Sequence, residues 1–272
     1  MAMVINTNMA ALNASRILDG TQRDQATAME RLTSGLRINK AADDAAGLAV
    51  ATGMTTQIRG TEQAIRNAND GVGLIQTVDG ASEEVVNMLQ RMRELGIQAL
   101  TGTYSNENRG QMNAEYQELA REIERVAETV KFNEIPLMNA SASTIELHVG
   151  WETASTNKIT LSMVDFGSLA ALGQNISTVG NASNAISTID ANLASIKTEK
   201  AKWGALQNRL DYTVANLANV NENMKGARSQ IEDADFASES AALARIQVLQ
   251  QAGMSMLGQA NQQSQSVLQL LQ

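Results

Sequence analysis

The chain has no cysteine, one proline (Pro136) and one histidine (His148). Without cysteine there are neither disulfides nor thiolate metal sites. A lone histidine cannot build a multi-histidine metal site or a histidine pair, so no metal and no cofactor is expected. In a strand, His148 is expected to be an ordinary, partly exposed residue. Aromatics make up only 3% of the 272 residues, too few for a conventional large globular core. The formal charge is −8 with no Lys/Arg-rich block, which argues against nucleic acid and against an anionic membrane surface as partners. No run of ~20 apolar residues exists, so no membrane span is expected. The N-terminus lacks a basic segment followed by an apolar run, so no cleaved secretory signal is expected. Taken alone, that places the protein in the cytoplasm, unless export uses a route that reads no cleaved signal.

Catalytic signatures are missing too. There is no Gly-rich phosphate loop, H-E-x-x-H, nucleophile elbow or EF-hand pattern. Asp43-Asp44 and Asp233/Asp235 are carboxylate pairs, but helix capping and solvation explain them better than acid–base work. No catalytic residue and no enzyme is expected. Asn13, Asn139, Asn175 and Asn181 each open a glycosylation sequon, a short pattern that matters only where the matching enzymes act.

What is abundant is Ala, Leu, Gln, Asn and Met, a composition that favours long helices packed side by side. Met is flexible and fills irregular gaps between helices. From Ile246 to Gln272 no side chain is charged, and the same holds before Arg16. In the C-terminal stretch, Phe236, Leu243, Ile246, Leu257, Ala260, Val267 and Leu271 fall at alternating helical spacing. In the N-terminal stretch, Ile5, Met9 and Leu12 do the same. A solvated surface helix normally carries Glu and Lys. Packed identical copies would multiply such charges into repulsion, so these two helices are expected to contact copies of the same chain. Ile5, Met9, Leu12, Leu243, Ile246, Leu257, Val267 and Leu271 are the candidate polymerisation residues.

Between the ends, the periodicity predicts a first helix over roughly 7–33 and a packed connector over 34–47, in which Asp43 or Asp44 caps the next helix. A long helix follows over about 44–99, where Ile58, Ile65 and Val72, then Val78, Val85 and Met92, repeat every seven. Gly53, Gly60, Gly71, Gly73 and Gly80 inside it each cost ~1 kcal/mol relative to Ala, so neighbours must hold it. Met112, Tyr116, Leu119, Ile123, Val126 and Val130 form a bundle seam over about 105–131. Strand alternation at Ile145, Leu147 and Val149 and at Ile159, Leu161 and Met163 predicts a β-hairpin. Helical spacing returns from Ile186 to Ile231, with Lys200, Gln207, Asn221 and Arg228 as polar interruptions of the seam. The stripe jumps by five near Asp233-Ala234-Asp235, marking a change of packing partner. The expected fold is mainly α: a long antiparallel helical bundle or coiled coil with a small β-hairpin insert, its N- and C-terminal helices paired.

At both ends the residues resemble bacterial flagellin. The resemblance rests on Val4-Ile5-Asn6-Thr7-Asn8, on Glu30 to Asn39, and on Asp43-Asp44-Ala45-Ala46-Gly47-Leu48-Ala49. It continues in Arg66 to Gly71 and Gln90 to Leu95, then in Gln207-Asn208-Arg209-Leu210, Ile231 to Asp235 and Gln259-Ala260-Asn261-Gln262. Departures are Lys40, which the family more often has just before the Asp pair, and Phe132-Asn133-Glu134 in place of Phe-Asn-Gly. Ser264 stands where proline is frequent, and Gln272 stands where Arg or Gly is common.

The resemblance implies a structural subunit that polymerises into the bacterial flagellar filament for swimming motility, secreted and extracellular. It implies a discontinuous terminal filament-core domain (1–43 with 236–272) and a helical core domain (44–235) carrying the hairpin at about 132–180. The short middle implies that the large outer domains of many flagellins are absent. Implied partners are the chain itself as a helical homopolymer, the flagellar type III export apparatus with an export chaperone, and the hook-associated and cap proteins. An animal toll-like receptor is a further one, with Arg91, Leu95 and Glu115 at the matching contact positions. There Arg91 and Leu95, four apart on one helix, would offer donors beside an apolar anchor, and Gly96 in place of the usual Ala would loosen that helix. Two alternatives share such ends: a hook–filament junction (hook-associated) protein, and a flagellin with an enzyme in its middle. For the second, the insert here is too short and lacks metal ligands.

Overall fold

A computed structural model describes residues 7–141 and 144–269, with side chains described as far as residue 262. The elements run α1 (Met9–Ser34), α2 (Ala45–Leu100), α3 (Asn106–Thr129), β1 (Lys131–Phe132), β2 (Ile135–Pro136), β3 (Ile145–His148), β4 (Lys158–Leu161), α4 (Val179–Glu232) and α5 (Phe236–Gln269). The fold is therefore mainly helical, as the 3.6-residue periodicity requires. The chain separates into two compact units, one formed by 1–56 with 223–272 and the other by 57–222. These boundaries fall inside α2 and α4, whereas the sequence suggests divisions at the connectors.

The 57–222 unit holds the larger core. Val85, Leu89, Met92 and Ala99 from α2, Tyr116 and Ile123 from α3, and Ile189, Ile196, Trp203 and Leu210 from α4 are buried together. The expected hairpin forms with Ile145 opposite Leu161 and Leu147 opposite Ile159. It lies over α2: the Asn67 side chain donates to the His148 carbonyl at 2.9 Å, and Leu147 occupies the space a Cβ at Gly71 would need. Gly60 likewise leaves room for Trp151. Two of the helix glycines that looked costly are thus close-approach points for the insert. His148 is a half-buried strand residue.

Polar groups close the unit. Ser105 caps α3 by accepting from the Asn108 amide at 3.2 Å. The buried Arg109 guanidinium donates to the carbonyls of Ala99 (2.8 Å) and Thr101 (3.2 Å), satisfying acceptors left open at the end of α2. Lys200 interrupts the α4 stripe because it reaches Asp79 at 3.3 Å and Glu83 on α2. Burial works against its charge, but the Glu83 and Asp79 contacts outweigh it and raise its pKa. Asn221 is buried, and its Oδ1 has no partner among the described residues.

A second, smaller hairpin, β1–β2, pairs Lys131 with Pro136 and Phe132 with Ile135. The sequence patterning does not show it, because two residues per strand give no alternation. Its turn residues, Asn133 and Glu134, have φ of 46° and 67°. Glu134 occupies a left-handed position where glycine is at ease, at a cost of roughly 1–2 kcal/mol.

Tyr116 gives the bundle a defined alkaline limit. Its ring is fully buried, and its hydroxyl donates to the Ala171 carbonyl at 2.8 Å. Burial pushes the phenol up to about 12. The unfolded chain ionises this group near pH ~10 while the folded chain keeps the proton, so stability falls between those values by about 1.4 kcal/mol per pH unit. Tyr116→Phe should remove that part of the alkaline loss while costing about 1 kcal/mol at neutral pH for the lost hydrogen bond. Denaturant unfolding at pH 8 and pH 11 checks both. An unchanged pH slope in the variant contradicts the assignment.

Candidate assembly interface

Helices α1 and α5 pack against each other and run antiparallel. The Asn8 side chain donates to the Ala260 carbonyl at 2.9 Å, Leu18 lies beside Gly253, and Arg31 pairs with Glu239 at 3.0 Å. On α1 the inward face is Ala11, Ala14, Leu18, Thr21, Gln25, Ala28 and Leu32, spaced 3, 4, 3, 4, 3, 4. Small residues let the backbones come close but bury little apolar surface. Only Thr21 and Ala28 of α1 are fully buried. None of the described α5 side chains is.

The connector explains how two helix breaks stay together. Ile38 is buried, and Gly47 is required beside it, since a Cβ there would meet Ile38 at 2.7 Å and the Asp44 carboxylate at 2.5 Å. The two aspartates divide the capping work. Asp44 Oδ1 accepts from the Gly47 amide at 2.9 Å, capping α2. Asp43 Oδ2 accepts from the amides of Lys40 (2.8 Å) and Asn39 (3.0 Å), closing the loop. Those bonds, first from Lys40 and then from Asn39, lower the Asp43 pKa. This segment is zipped to the α4–α5 junction, where the stripe changes phase. The Arg37 amide donates to the Glu232 carbonyl at 2.7 Å and the Ala234 amide to the Gly35 carbonyl at 2.9 Å. Leu36 and Asp233 form an antiparallel bridge. Asp235 then opens α5 by accepting from the Ala237 amide at 3.0 Å. The two helix breaks are thus held together at one hydrogen-bonded crossing.

The sequence-derived polymerisation residues separate into two groups. Met9 and Leu12 face solvent, 65% and 64% exposed. Leu243, Ile246 and Leu257 are half-buried, on the α5 face that meets α1. Their stripe therefore serves pairing within the chain first, because α1 is the nearest apolar surface available to it. Ile5 and Leu271 lie outside the described residues, as does the side chain of Val267. A second apolar set on α5, Val248, Leu249, Met254 and Met256, lies off the stripe and is exposed, together with Ile17 and Met29 on α1. Stripe-seeking missed it. The signal present in the sequence was a surplus of apolar residues on the face that a solvated helix fills with charge.

The other candidate positions lie in the 57–222 unit. Arg91 donates to Glu115 through Nε (3.0 Å) and Nη2 (2.8 Å) and to Glu94 through Nη1 (3.0 Å). The Glu115 and Glu94 bonds raise the arginine's pKa. Both Arg91 and Glu115 are about half exposed. Leu95 is not a surface anchor: it is 2% exposed and belongs to the core, because it flanks the buried α2 face formed by Val85, Leu89, Met92 and Ala99. Gly96 does not loosen this helix either, for it lets the Ile186 side chain of α4 approach to 2.9 Å of where a Cβ would stand. Among the described residues, no cluster of three or more His, Asp or Glu is placed to hold a metal ion, and no helix is long and apolar enough to cross a membrane.

Comparison with known proteins gives consistent results along the whole chain. The model of the bacterial flagellin N-terminal helical region matches residues 5–143, and that of the C-terminal helical region matches 186–271. Flagellin of Halalkalibacterium halodurans is 44% identical over 271 residues, covering 99% of this chain and 100% of the relative. A flagellar filament 31.3 kDa core protein of Treponema maltophilum is 38% identical, again covering 99% and 100%. The crystal structure of Bacillus cereus flagellin superposes with a TM-score of 0.51 at 28% identity, covering 56% of this chain and 88% of that one.

Proposed function

Given that this chain belongs to the bacterial flagellin family and is a subunit of the flagellar filament, we propose that it polymerises through the outward faces of α1 and α5. The observation that carries this reading is the set of exposed apolar residues Met9, Leu12, Ile17, Val248, Leu249, Met254 and Met256 on a helix pair whose terminal stretches lack charge. Large apolar side chains left exposed along a helix pair mark an interaction site, and uncharged amides and hydroxyls around them permit identical copies to pack without repulsion. Ile5, Leu243, Ile246, Leu257, Val267 and Leu271 complete the assembly region, the half-buried ones by shaping the pair that copies dock on. In this reading the functional division of the chain lies at the connectors, with 1–43 and 236–272 as the terminal filament-core domain and 44–235 as the helical core domain. The subunit has no enzymatic activity. It is secreted through the flagellar export apparatus with a chaperone and meets hook-associated and cap proteins at the filament ends. Whole-length similarity to a flagellin and to a filament core protein supports the filament over the hook–filament junction. Purified chain seeded with filament fragments should elongate into helical filaments without any other protein, and failure to elongate contradicts the reading.

A toll-like receptor of animal hosts would meet the Arg91–Glu115 pair on the core domain. An exposed ion pair adds little to stability, so Arg91→Ala should reduce receptor activation in a reporter assay without loss of helicity. Leu95→Ala differs: it removes core volume and should destabilise the bundle by roughly 2–5 kcal/mol, losing activity through unfolding. An Arg91→Ala dose response identical to the unmodified chain removes Arg91 from the contact.

A further inference from the structure

The thirteen methionines of this cysteine-free chain are not spread evenly over its surface. Met92 and Met138 are fully buried in the 57–222 unit, and Met54, Met88, Met112, Met163 and Met224 are half-buried. Among the described residues the exposed ones are Met9 and Met29 on α1 and Met254 and Met256 on α5, at 65%, 49%, 62% and 63%. They lie on the same two helices that expose Leu12, Val248 and Leu249. Every well-exposed sulfur among the described residues is therefore on the helix pair assigned above to assembly.

From this placement we propose that Met9, Met29, Met254 and Met256 form an oxidation site that controls assembly competence. The oxidant is a peroxide. Its O–O bond breaks as its terminal oxygen bonds to the thioether sulfur. The sulfur gives up two electrons to become a sulfoxide, and the proton of the transferred oxygen passes to the departing oxygen, which leaves as alcohol, or as water from hydrogen peroxide. Each event turns a flexible apolar side chain into a polar one on a face that must be desolvated for copies to pack. In a chain without thiols, no cysteine intercepts the oxidant first. Subunits are open to the reaction before assembly, and packing of the same faces in the filament closes it. The proposal rests on the assembly reading of α1 and α5.

The test is graded hydrogen peroxide treatment of purified subunit, peptide mapping of sulfoxides and a seeded elongation assay. Sulfoxide should accumulate at the four exposed methionines well before Met92 and Met138, and elongation should be lost in step. Preassembled filaments should resist modification at Met9, Met254 and Met256. The Met9→Leu/Met29→Leu/Met254→Leu/Met256→Leu variant, close to volume-conserving, should elongate at the same rate with and without treatment, whatever that rate is. Oxidised subunit that elongates normally overturns the proposal, as does equal peroxide sensitivity in the variant. If the variant fails to elongate even untreated, sulfoxide reductase treatment of oxidised wild-type subunit decides. Recovered elongation supports the proposal; sulfoxides removed without recovery overturn it. Failure of untreated wild-type subunit to elongate is a separate outcome that strikes the assembly reading itself.

Discussion

Removing Leu257 to Gln272 is expected to abolish polymerisation and leave the 57–222 unit folded. Leu257 belongs to the half-buried face that holds α5 on α1, and the segment from it onward is wholly uncharged. Its loss removes the last turns of α5 and the Ala260 carbonyl to which Asn8 is tied, so the start of α1 loses its partner too. The core around Met92, Tyr116, Ile123 and Trp203 contains no residue from α5 and does not depend on it. Circular dichroism should therefore retain a cooperative transition, while sedimentation should find no filament. A truncated chain that still sediments as ordinary filament contradicts the assignment of α5.

The second large effect is expected in hydrogen exchange. In isolated subunits, amides before Asp43 and after Asp235 should exchange quickly, and in filaments the same amides should be strongly slowed. Ordering the backbone costs about 1–2 kcal/mol per residue. The 26 residues of α1 bury only Thr21 and Ala28, which is far from enough to offset that. The paired helices therefore need their outward faces covered to persist. The core amides of α3 and of α4 near Trp203 should be protected in both states. Strong protection of the terminal helices in the isolated subunit would show that the pair is self-sufficient.

Much of the fold was legible because the 57–222 unit follows simple periods. Tyr116 and Ile123 on α3 and the seven-residue series through Ile189, Ile196, Trp203 and Leu210 on α4 are apolar at the spacing of the buried face. The β3–β4 hairpin followed from alternation, and the Asp233–Asp235 phase break coincided with the observed end of α4. The α1 face was less legible, because Ala11, Ala14, Thr21, Gln25 and Ala28 pack through size rather than hydrophobicity. Met9 and Leu12 stood out by hydrophobicity and turned out to point away from α5. Leu95 was misplaced for a related reason. Four residues from Arg91 it shares that helix's angular sector, but it lies close enough to the buried edge for the core to take it.

The most direct test is a cryo-EM reconstruction of filaments grown from the purified chain. It should place Met9 and Leu12 of α1 and Leu249 and Met256 of α5 in contact with neighbouring subunits. A filament in which those four side chains face solvent, or in which contacts run only through the 57–222 unit, would contradict it.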